Sequence, residues 1–153
     1  MSIKQTDRNF LQQALAEARD GYDQGGVPVG AVMVANGAVI ARGRNKRVQE
    51  GDPVMHGETD CLRAAGVMKS YDGIDLYTTL SPCMMCTGAI VHFGIKRVVV
   101  GEDVNFPGNI DFLRENGVEM VLADDSACKD LMSRFIEERP DIWFEDIAGN
   151  EEI

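Results

Sequence analysis

The chain has 153 residues, enough for one domain that buries about two-thirds of the surface its unfolded form exposes. Hydrophobic residues make up 44% and charged residues 26%, and no apolar run approaches the ~20 residues of a membrane span. The net charge of −10 disfavours nucleic acid as a partner, because phosphate binding normally needs a basic face, and favours a small neutral ligand. Four cysteines without an apolar leader segment predict a cytoplasmic protein that uses thiols for metal binding or catalysis.

Hydrophobic periodicity predicts alternating helices and strands in one uninterrupted α/β domain. In chain order these are a helix with its apolar pattern over 10–18 that ends at Gly25-Gly26, strands over 29–34 and 38–42, a helix over 56–65, a strand over 75–80, a helix over 83–93, a strand over 97–101, a helix over 109–116, a strand over 118–123 and a helix over 126–139. Asn36-Gly37 predicts a tight type I′ turn, and Pro140 predicts the end of the last helix. A hairpin joined to crossover units predicts a mixed sheet whose last two strands run parallel.

The most informative motif is His56-Gly57-Glu58, followed further along by Pro82-Cys83 and Cys86. One imidazole and two thiolates supply three zinc ligands, which leaves the fourth tetrahedral position to water. Structural zinc sites are closed by four protein ligands, so this count indicates a catalytic site. The combination of His-x-Glu with Pro-Cys-x-x-Cys is the signature of zinc-dependent deaminases. The motif therefore predicts a hydrolytic deaminase with Zn²⁺ as its cofactor.

The spacing of the ligands suits a shared metal ion. Cys83 and Cys86 are three positions apart, so both sulfurs lie on one face of a helix. Pro82 favours a helix start, and the positive end of the helix dipole lowers the thiol pKa values. His56 and Glu58 are predicted in the first turn of another helix. Two facing helix starts would then enclose one zinc ion.

Glu58 is the predicted catalytic residue. Two thiolates and a neutral imidazole cancel the charge of Zn²⁺, so the bound water is acidified less than at a three-His site, and a base nearby becomes important. In this hypothesis Glu58 takes the water proton, passes a proton to the substrate ring nitrogen and later protonates the departing amine. Zinc-bound hydroxide attacks the amidine-like carbon, and ammonia leaves.

Other interpretations of the cysteines remain open. Cys83 and Cys86 could form a redox pair or half of a structural zinc knot, but a redox pair needs no His-x-Glu and a knot needs a fourth ligand. Cys61 and Cys128 are more typical of small buried apolar residues. A catalytically inactive zinc-binding scaffold is the non-enzyme alternative, and the intact Glu58 argues against it. The basic run over 42–47 is interpreted as a solvated hairpin end.

Over most of its length the chain resembles the fungal-type cytosine deaminases, within the wider cytidine-deaminase-like fold. The segments that carry the resemblance are residues 25–28, 56–58, 76–83, 86–90, 99–106 and 143–147. The resemblance implies a three-layer α/β/α fold with a central five-stranded mixed sheet and helices on both faces. It also implies a single deaminase domain over residues 1–153, a homodimer, and conversion of free cytosine to uracil and ammonia.

The resemblance also implies the polar contacts to the substrate. Asn45 and the backbone N–H of Gly57 would bind the substrate carbonyl. The backbone carbonyl of Ser81 and the carboxylate of Asp146 would receive the exocyclic amine, while Glu58 faces the ring nitrogen.

The same resemblance places aromatic side chains around the base. Phe106 and Trp143 would pack against it, the latter from a C-terminal segment, residues 140–153, that acts as an active-site lid. The family has an aromatic residue where this chain has Val48, which predicts a larger or reshaped pocket wall. Related amino-heterocycles such as isocytosine or guanine therefore stay open as substrates.

A tRNA adenosine deaminase is the main enzyme rival. It shares the Val27-Pro28-Val29-Gly30 type of strand and the Pro-Cys-x-x-Cys motif, whereas the acidic charge and the aromatic tail of this chain oppose it. Guanine deaminase has the same zinc chemistry with a different C-terminal lid.

Overall fold

A five-stranded mixed sheet forms the centre of the computed structural model, which describes residues 3–149. The strand order is β2-β1-β3-β4-β5; β1 is antiparallel to β2 and β3, whereas β3, β4 and β5 run parallel. The strands are β1 (Gly30–Ala35), β2 (Ala38–Arg44), β3 (Ile74–Thr78), β4 (Arg97–Val100) and β5 (Glu119–Leu122). The predicted mixed sheet and its parallel last pair are confirmed.

Seven helices lie within the described part of the chain. They are α1 (Gln5–Asp23), α2 (Arg47–Glu50), α3 (Gly57–Ala65), α4 (Met84–Phe93), α5 (Ile110–Glu115), α6 (Ser126–Glu138) and α7 (Pro140–Asp146). The periodicity predicted neither α2 nor α7. Pro140 ends α6 and also begins α7, because the first position of a helix needs no N–H donor. None of the helices in residues 3–149 is long and apolar enough to cross a membrane.

Helices cover both faces of the sheet, as the three-layer prediction requires. Alternate residues of β1 point to opposite sides: Ala31 and Met33 pack in the cluster with Cys61 of α3, and Val32 and Val34 pack in the cluster with Leu11 of α1. Both clusters are buried. The hydrophobic core is therefore divided between the two faces of the sheet.

One glycine lets α3 lie directly on the hairpin. A Cβ atom at Gly43 would stand 2.3 Å from the backbone nitrogen of Cys61, so β2 accepts the helix only without a side chain there. The backbone N–H of Arg44 also donates to the buried Asp60 carboxylate of α3 at 3.0 Å. These contacts fix the start of α3 relative to the end of β2.

The two ends of the sheet have different characters. At one end, Arg97 at the start of β4 donates to Asp7 of α1 at 2.8 and 2.9 Å, and to Glu119 at 2.8 Å. Tyr77 also donates to Asp7, at 2.7 Å. Hydrogen bonding to Arg97 is the main cause that holds the pKa of the buried Asp7 carboxyl at about 2. The other end, where β3 and β4 finish, carries the predicted functional residues.

Candidate active site

Two helix starts bring the three predicted zinc ligands together. His56 caps α3 and Cys83 caps α4, so the helix begins at Met84, one residue later than expected. His56 Nδ1 lies 3.4 Å from Cys83 Sγ and 3.9 Å from Cys86 Sγ, and the three donor atoms all lie within 4.8 Å of one another. A tetrahedral zinc ion with sulfur at about 2.3 Å and nitrogen at about 2.0 Å separates its ligands by about 3.5–3.8 Å. The donor set therefore fits zinc in both chemistry and spacing.

The three ligand side chains shift one another's pKa values. Hydrogen bonding from Cys86 and the nearby His56 lower the pKa of Cys83 to about 4, against the effect of burial. The Cys83 thiolate in turn raises the pKa of Cys86 well above its usual value. Burial disfavours the imidazolium of His56, yet Cys83 and Asp146 outweigh it and raise its pKa to about 9. Zinc binding must displace these protons.

Glu58 lies in the first turn of α3, beside the ligands. Its side chain lines the cavity and the residue is only 3% exposed. Burial is the main cause that raises the pKa of Glu58 to about 7, with the Cys83 thiolate adding to the effect and His56 opposing it. A carboxyl group with a pKa near neutrality can both accept and release a proton, which suits a proton shuttle.

A polar edge forms where α7 meets the end of β2. Asn45 donates from Nδ2 to Asp146 Oδ1 at 2.9 Å, and its own Oδ1 accepts from the backbone N–H of Arg47 at 3.0 Å. Asp146 Oδ1 also lies 3.5 Å from His56 Nε2, the ring nitrogen that faces away from the thiols. Burial is the main cause that raises the pKa of Asp146, opposed by His56. A carboxylate on the second nitrogen of a metal-binding histidine fixes its ring orientation.

Aromatic and aliphatic side chains close the cavity. Phe106 and Trp143 meet edge to face, with ring centroids 6.1 Å apart and an interplanar angle of 89°. The cavity has about 340 Å³ of space free of protein atoms, part of which is open to solvent. Its lining residues are Val29, Asn45, His56, Glu58, Leu80, Ser81, Cys83, Phe106, Trp143, Asp146 and Ile147.

The sequence interpretation missed three of the apolar lining residues, Val29, Leu80 and Ile147. Ile147 could have been found from its helical spacing to Trp143, four positions earlier. Val48 does not line the cavity: it lies on α2 and is 39% exposed. The expected change in the pocket wall therefore does not come from direct contact of the valine with the cavity.

The two predicted backbone contributors, Ser81 and Gly57, lie next to the cavity on rigid segments. The Ser81 hydroxyl donates to Pro107 O at 2.8 Å, and its N–H donates to Glu102 O at 2.9 Å. Gly57 begins α3 and is buried against Val29, where an added Cβ would stand 3.1 Å from the Val29 carbonyl oxygen. Ser81 lines the cavity, and Gly57 lies in the chain between His56 and Glu58, which both line it.

The remaining cysteines and the cationic side chains of the basic run lie outside this site, whereas Asn45 within that run lines it. Cys61 and Cys128 are buried, and burial raises the pKa of each thiol, to about 12 for Cys61. They are small core residues, as the sequence analysis favoured. The cations over 42–47 each face an acidic or amide partner: Arg42 with Gln13, Arg44 with Asp20, Lys46 with Asp60 and Arg47 with Glu145.

The site combines two thiols and an imidazole at facing helix starts with a buried carboxylate beside them. On a cytidine-deaminase-like fold, this combination defines a zinc-dependent deaminase site. Residues 4–102 match the family model of the cytidine and deoxycytidylate deaminase zinc-binding region, and the chain belongs to this family. The predicted class of enzyme and its zinc cofactor are confirmed.

The chain is similar to individual known deaminases in sequence and structure. It is 48% identical over 145 residues to cytosine deaminase of Candida albicans, which covers 93% of this chain and 97% of the relative. A solved structure from a study of A-to-I editing by tRNA:A34 deaminases has a TM-score of 0.71 at 30% identity, over 81% of this chain and 99% of that chain. The guanine deaminase of Bacillus subtilis has a TM-score of 0.60 at 32% identity, over 76% of this chain and 73% of that chain. The resemblance to the fungal-type cytosine deaminases is confirmed.

Proposed function

We propose that this zinc-dependent deaminase hydrolyses free cytosine to uracil and ammonia. The observation that carries the proposal is the polar edge of Asn45 and Asp146 inside a small cavity walled by Phe106 and Trp143. A planar base needs aromatic contact on its ring and a few fixed polar groups at its edge. The identity of 48% to the Candida cytosine deaminase supports the same substrate.

Glu58 performs the proton transfers in this proposal. His56, Cys83 and Cys86 would hold the zinc ion, which when bound would acidify a water molecule that serves as the nucleophile. The Glu58 carboxylate accepts a proton from that water and delivers it to the ring nitrogen of the base as the oxygen adds to the ring carbon. Glu58 then takes the remaining proton of the added hydroxyl group and passes it to the exocyclic amine, so the carbon–nitrogen bond breaks as the carbonyl forms and ammonia leaves.

Asn45 and Asp146 orient the base. The Asn45 amide has two N–H donors, of which one is bonded to Asp146, and the second serves the substrate carbonyl together with the Gly57 N–H. The oxygen of the amide is held by the Arg47 N–H, so the amide cannot usefully flip. Asp146 and the Ser81 carbonyl accept hydrogen bonds from the exocyclic amine.

The segment 140–153 serves as a lid of the single domain in this proposal; residues 150–153 lie outside the described part of the chain. Support comes from α7, which carries Trp143 and Asp146 into the cavity wall and buries Ile142 and Ile147 beside Phe106. Closing a site in this way keeps bulk water from the reaction.

Ammonia release by the zinc-loaded protein tests the substrate. The panel comprises cytosine, isocytosine, guanine, adenine, cytidine and a tRNA anticodon hairpin. We expect efficient release from cytosine and little from the nucleoside or the hairpin, because the cavity is small and the nearby cations are paired with acidic or amide groups. Faster release from guanine or from the hairpin would contradict the proposal and favour the corresponding rival.

We also propose a cytoplasmic homodimer. α4 exposes apolar side chains along its length, from Met84 next to the ligands at 52% to Phe93 at its far end at 43% exposure, and a second copy of the chain would cover them. Light scattering after size-exclusion chromatography measures the state directly. A monomer at micromolar concentration, or a dimer that Met84→Glu and Phe93→Glu leave intact, would contradict this interface.

A further inference from the structure

A buried carboxylate lies in the chain shortly before Phe106, which forms the aromatic wall of the cavity together with Trp143. Glu102 follows β4 and has no solvent exposure. Its Oε2 accepts from the backbone N–H groups of Val104 at 2.7 Å and Asn105 at 2.9 Å, and its Oε1 accepts from Asn105 Nδ2 at 2.8 Å. Burying a charge is costly unless it is well bonded. Here all three donors come from the loop that begins at Glu102 itself.

This loop is tied on one side to α6 and on the other to Ser81 of the cavity wall. Asn105 donates to Lys129 O of α6 at 3.1 Å and accepts from Ser133 Oγ at 3.2 Å. The backbone carbonyl of Glu102 accepts from the N–H of Ser81 at 2.9 Å. Phe106, the next residue after Asn105, is 3% exposed and meets Trp143 edge to face. The Glu102 carboxylate therefore sets the path of the chain immediately before the aromatic wall.

We propose that Glu102 is a positioning residue for the substrate ring, acting through Phe106; the proposal rests on the deamination of a planar base argued above. An apolar side chain could fill the same space but would leave the Val104 and Asn105 N–H groups without an acceptor. Glutamine could accept both backbone N–H groups, but its amide nitrogen would then face the amide nitrogen of Asn105, donor against donor. The site therefore requires two acceptor oxygens, which a carboxylate supplies and an amide does not.

Glu102→Gln tests the role, with Glu115→Gln on the exposed end of α5 as a control for the lost charge. We expect KM to rise about tenfold, the effect of weakening one base–aromatic contact. We expect kcat to change far less, because Phe106 contacts the base equally in the ground and transition states. Zinc content stays unchanged, since Glu102 touches none of the ligands. Asn105→Ala, which removes one of the three hydrogen bonds to Glu102 together with both bonds to α6, should raise KM in the same direction and serves if Glu102→Gln does not fold.

A double-mutant cycle with Phe106→Leu separates positioning from general stability. If Glu102 acts through Phe106, its substitution raises KM in the wild-type background and has little further effect in Phe106→Leu. Equal effects of Glu102→Gln on KM in both backgrounds, or a lower unfolding midpoint with unchanged KM, would overturn the proposal.

Trp143 gives a readout that needs no substrate. It is the single tryptophan of the chain and contacts Phe106 directly. A displaced Phe106 exposes it, so Glu102→Gln shifts its emission to longer wavelength and increases quenching by acrylamide, whereas Glu115→Gln does neither. If the wild-type protein does not deaminate cytosine, the proposed function is wrong, but the fluorescence comparison still tests whether Glu102 positions Phe106. Unchanged emission and quenching in Glu102→Gln would overturn the positioning role whatever the substrate.

Discussion

Glu58 is buried, and its pKa lies near neutrality, well above that of an ordinary surface carboxylate. Its pKa of about 7 arises mainly from burial, in the first turn of a helix that also supplies a zinc ligand. We predict that Glu58→Gln lowers kcat by about 10²–10⁴-fold, the usual contribution of a positioned acid–base group. Zinc content measured by plasma mass spectrometry should stay at the wild-type ratio, since glutamine fills the same space. Turnover near the wild-type rate would refute the assignment.

The four cysteines divide into two functional classes. Cys86 Sγ lies 3.9 Å from His56 Nδ1, whereas Cys128 packs with Leu15 and Ala18 between α6 and α1. We predict that Cys86→Ser loses most of the bound zinc and the activity, because the hydroxyl is a poor zinc ligand. Cys128→Ala is the matched control and should retain both, with a lower unfolding midpoint. The measurement is zinc per chain after dialysis; full zinc in Cys86→Ser would contradict the ligand set.

At the residue scale, the sequence motifs predicted those site residues whose positions depend on spacing within one short segment. The ligands and Glu58 lie in two short segments, so helix geometry places them within each segment, and the shared motif indicated that the two segments meet. Asp146 is different, because its contact with His56 joins residues far apart in sequence, and only the resemblance to a family suggested its role. Glu102 was missed altogether, since an acidic residue in a loop is normally solvated and nothing local indicates its burial.

Helix α7 is the element on which the closed cavity depends. It contributes Trp143 and Asp146 to the lining and packs its apolar residues against Phe106 and Phe135. We predict that a chain ending at Arg139 loses about a hundredfold or more in kcat/KM, because the base is no longer held and oriented. The zinc ligands lie at the starts of α3 and α4, so the truncated chain should still bind zinc, more weakly because Asp146 no longer orients His56.

Exposure of the underlying apolar cluster could reduce the solubility of that truncated chain. Trp143→Ala keeps the helix and removes only its largest contact with the cavity, so it should lower kcat/KM in the same direction with a smaller loss of stability. Unimpaired cytosine deamination by either variant would exclude a lid function for α7.

Some boundaries of the helices and strands do not follow from the hydrophobic pattern of the sequence. The strands and four of the helices were predicted to within about two residues, because hydrophobic periodicity and the Asn36-Gly37 turn determine them locally, whereas α1 begins at Gln5, well before the pattern that starts at Phe10. The structure bears out that turn, with positive φ at both residues, 51° and 77°. Pro140 was interpreted only as a stop signal, although it also begins α7. Helix α7 is held by tertiary burial, which the sequence pattern alone does not show.

For the whole molecule, stability and function are concentrated at opposite ends of the sheet. The folded pKa of Asp7 lies at about 2 against an ordinary value of 3.8, so its ion pair with Arg97 stabilises the fold fully above pH 3.8 and is lost as the pH falls through about 2. We predict that Asp7→Asn loses about 2 kcal/mol of unfolding free energy at pH 7.

Urea unfolding at several pH values checks this prediction. The difference between wild type and Asp7→Asn should be constant at neutral pH and shrink steadily below pH 3.8, while kcat/KM at pH 7 stays unchanged. Asp23→Asn, at the exposed end of the same helix, is the control and should match the wild type throughout. A difference that persists undiminished at pH 2 would show that the pair with Arg97 is not its source.

The position of Asp146 in the chain also has a consequence for biosynthesis. The three metal donors, at residues 56, 83 and 86, leave the ribosome well before residue 146, and at ~5–20 residues per second the interval is about 3–12 s. During that interval the nascent chain already carries every metal donor but not the helix that later covers them. Metal can therefore be acquired while the donors are still accessible, and completion of the chain then encloses it.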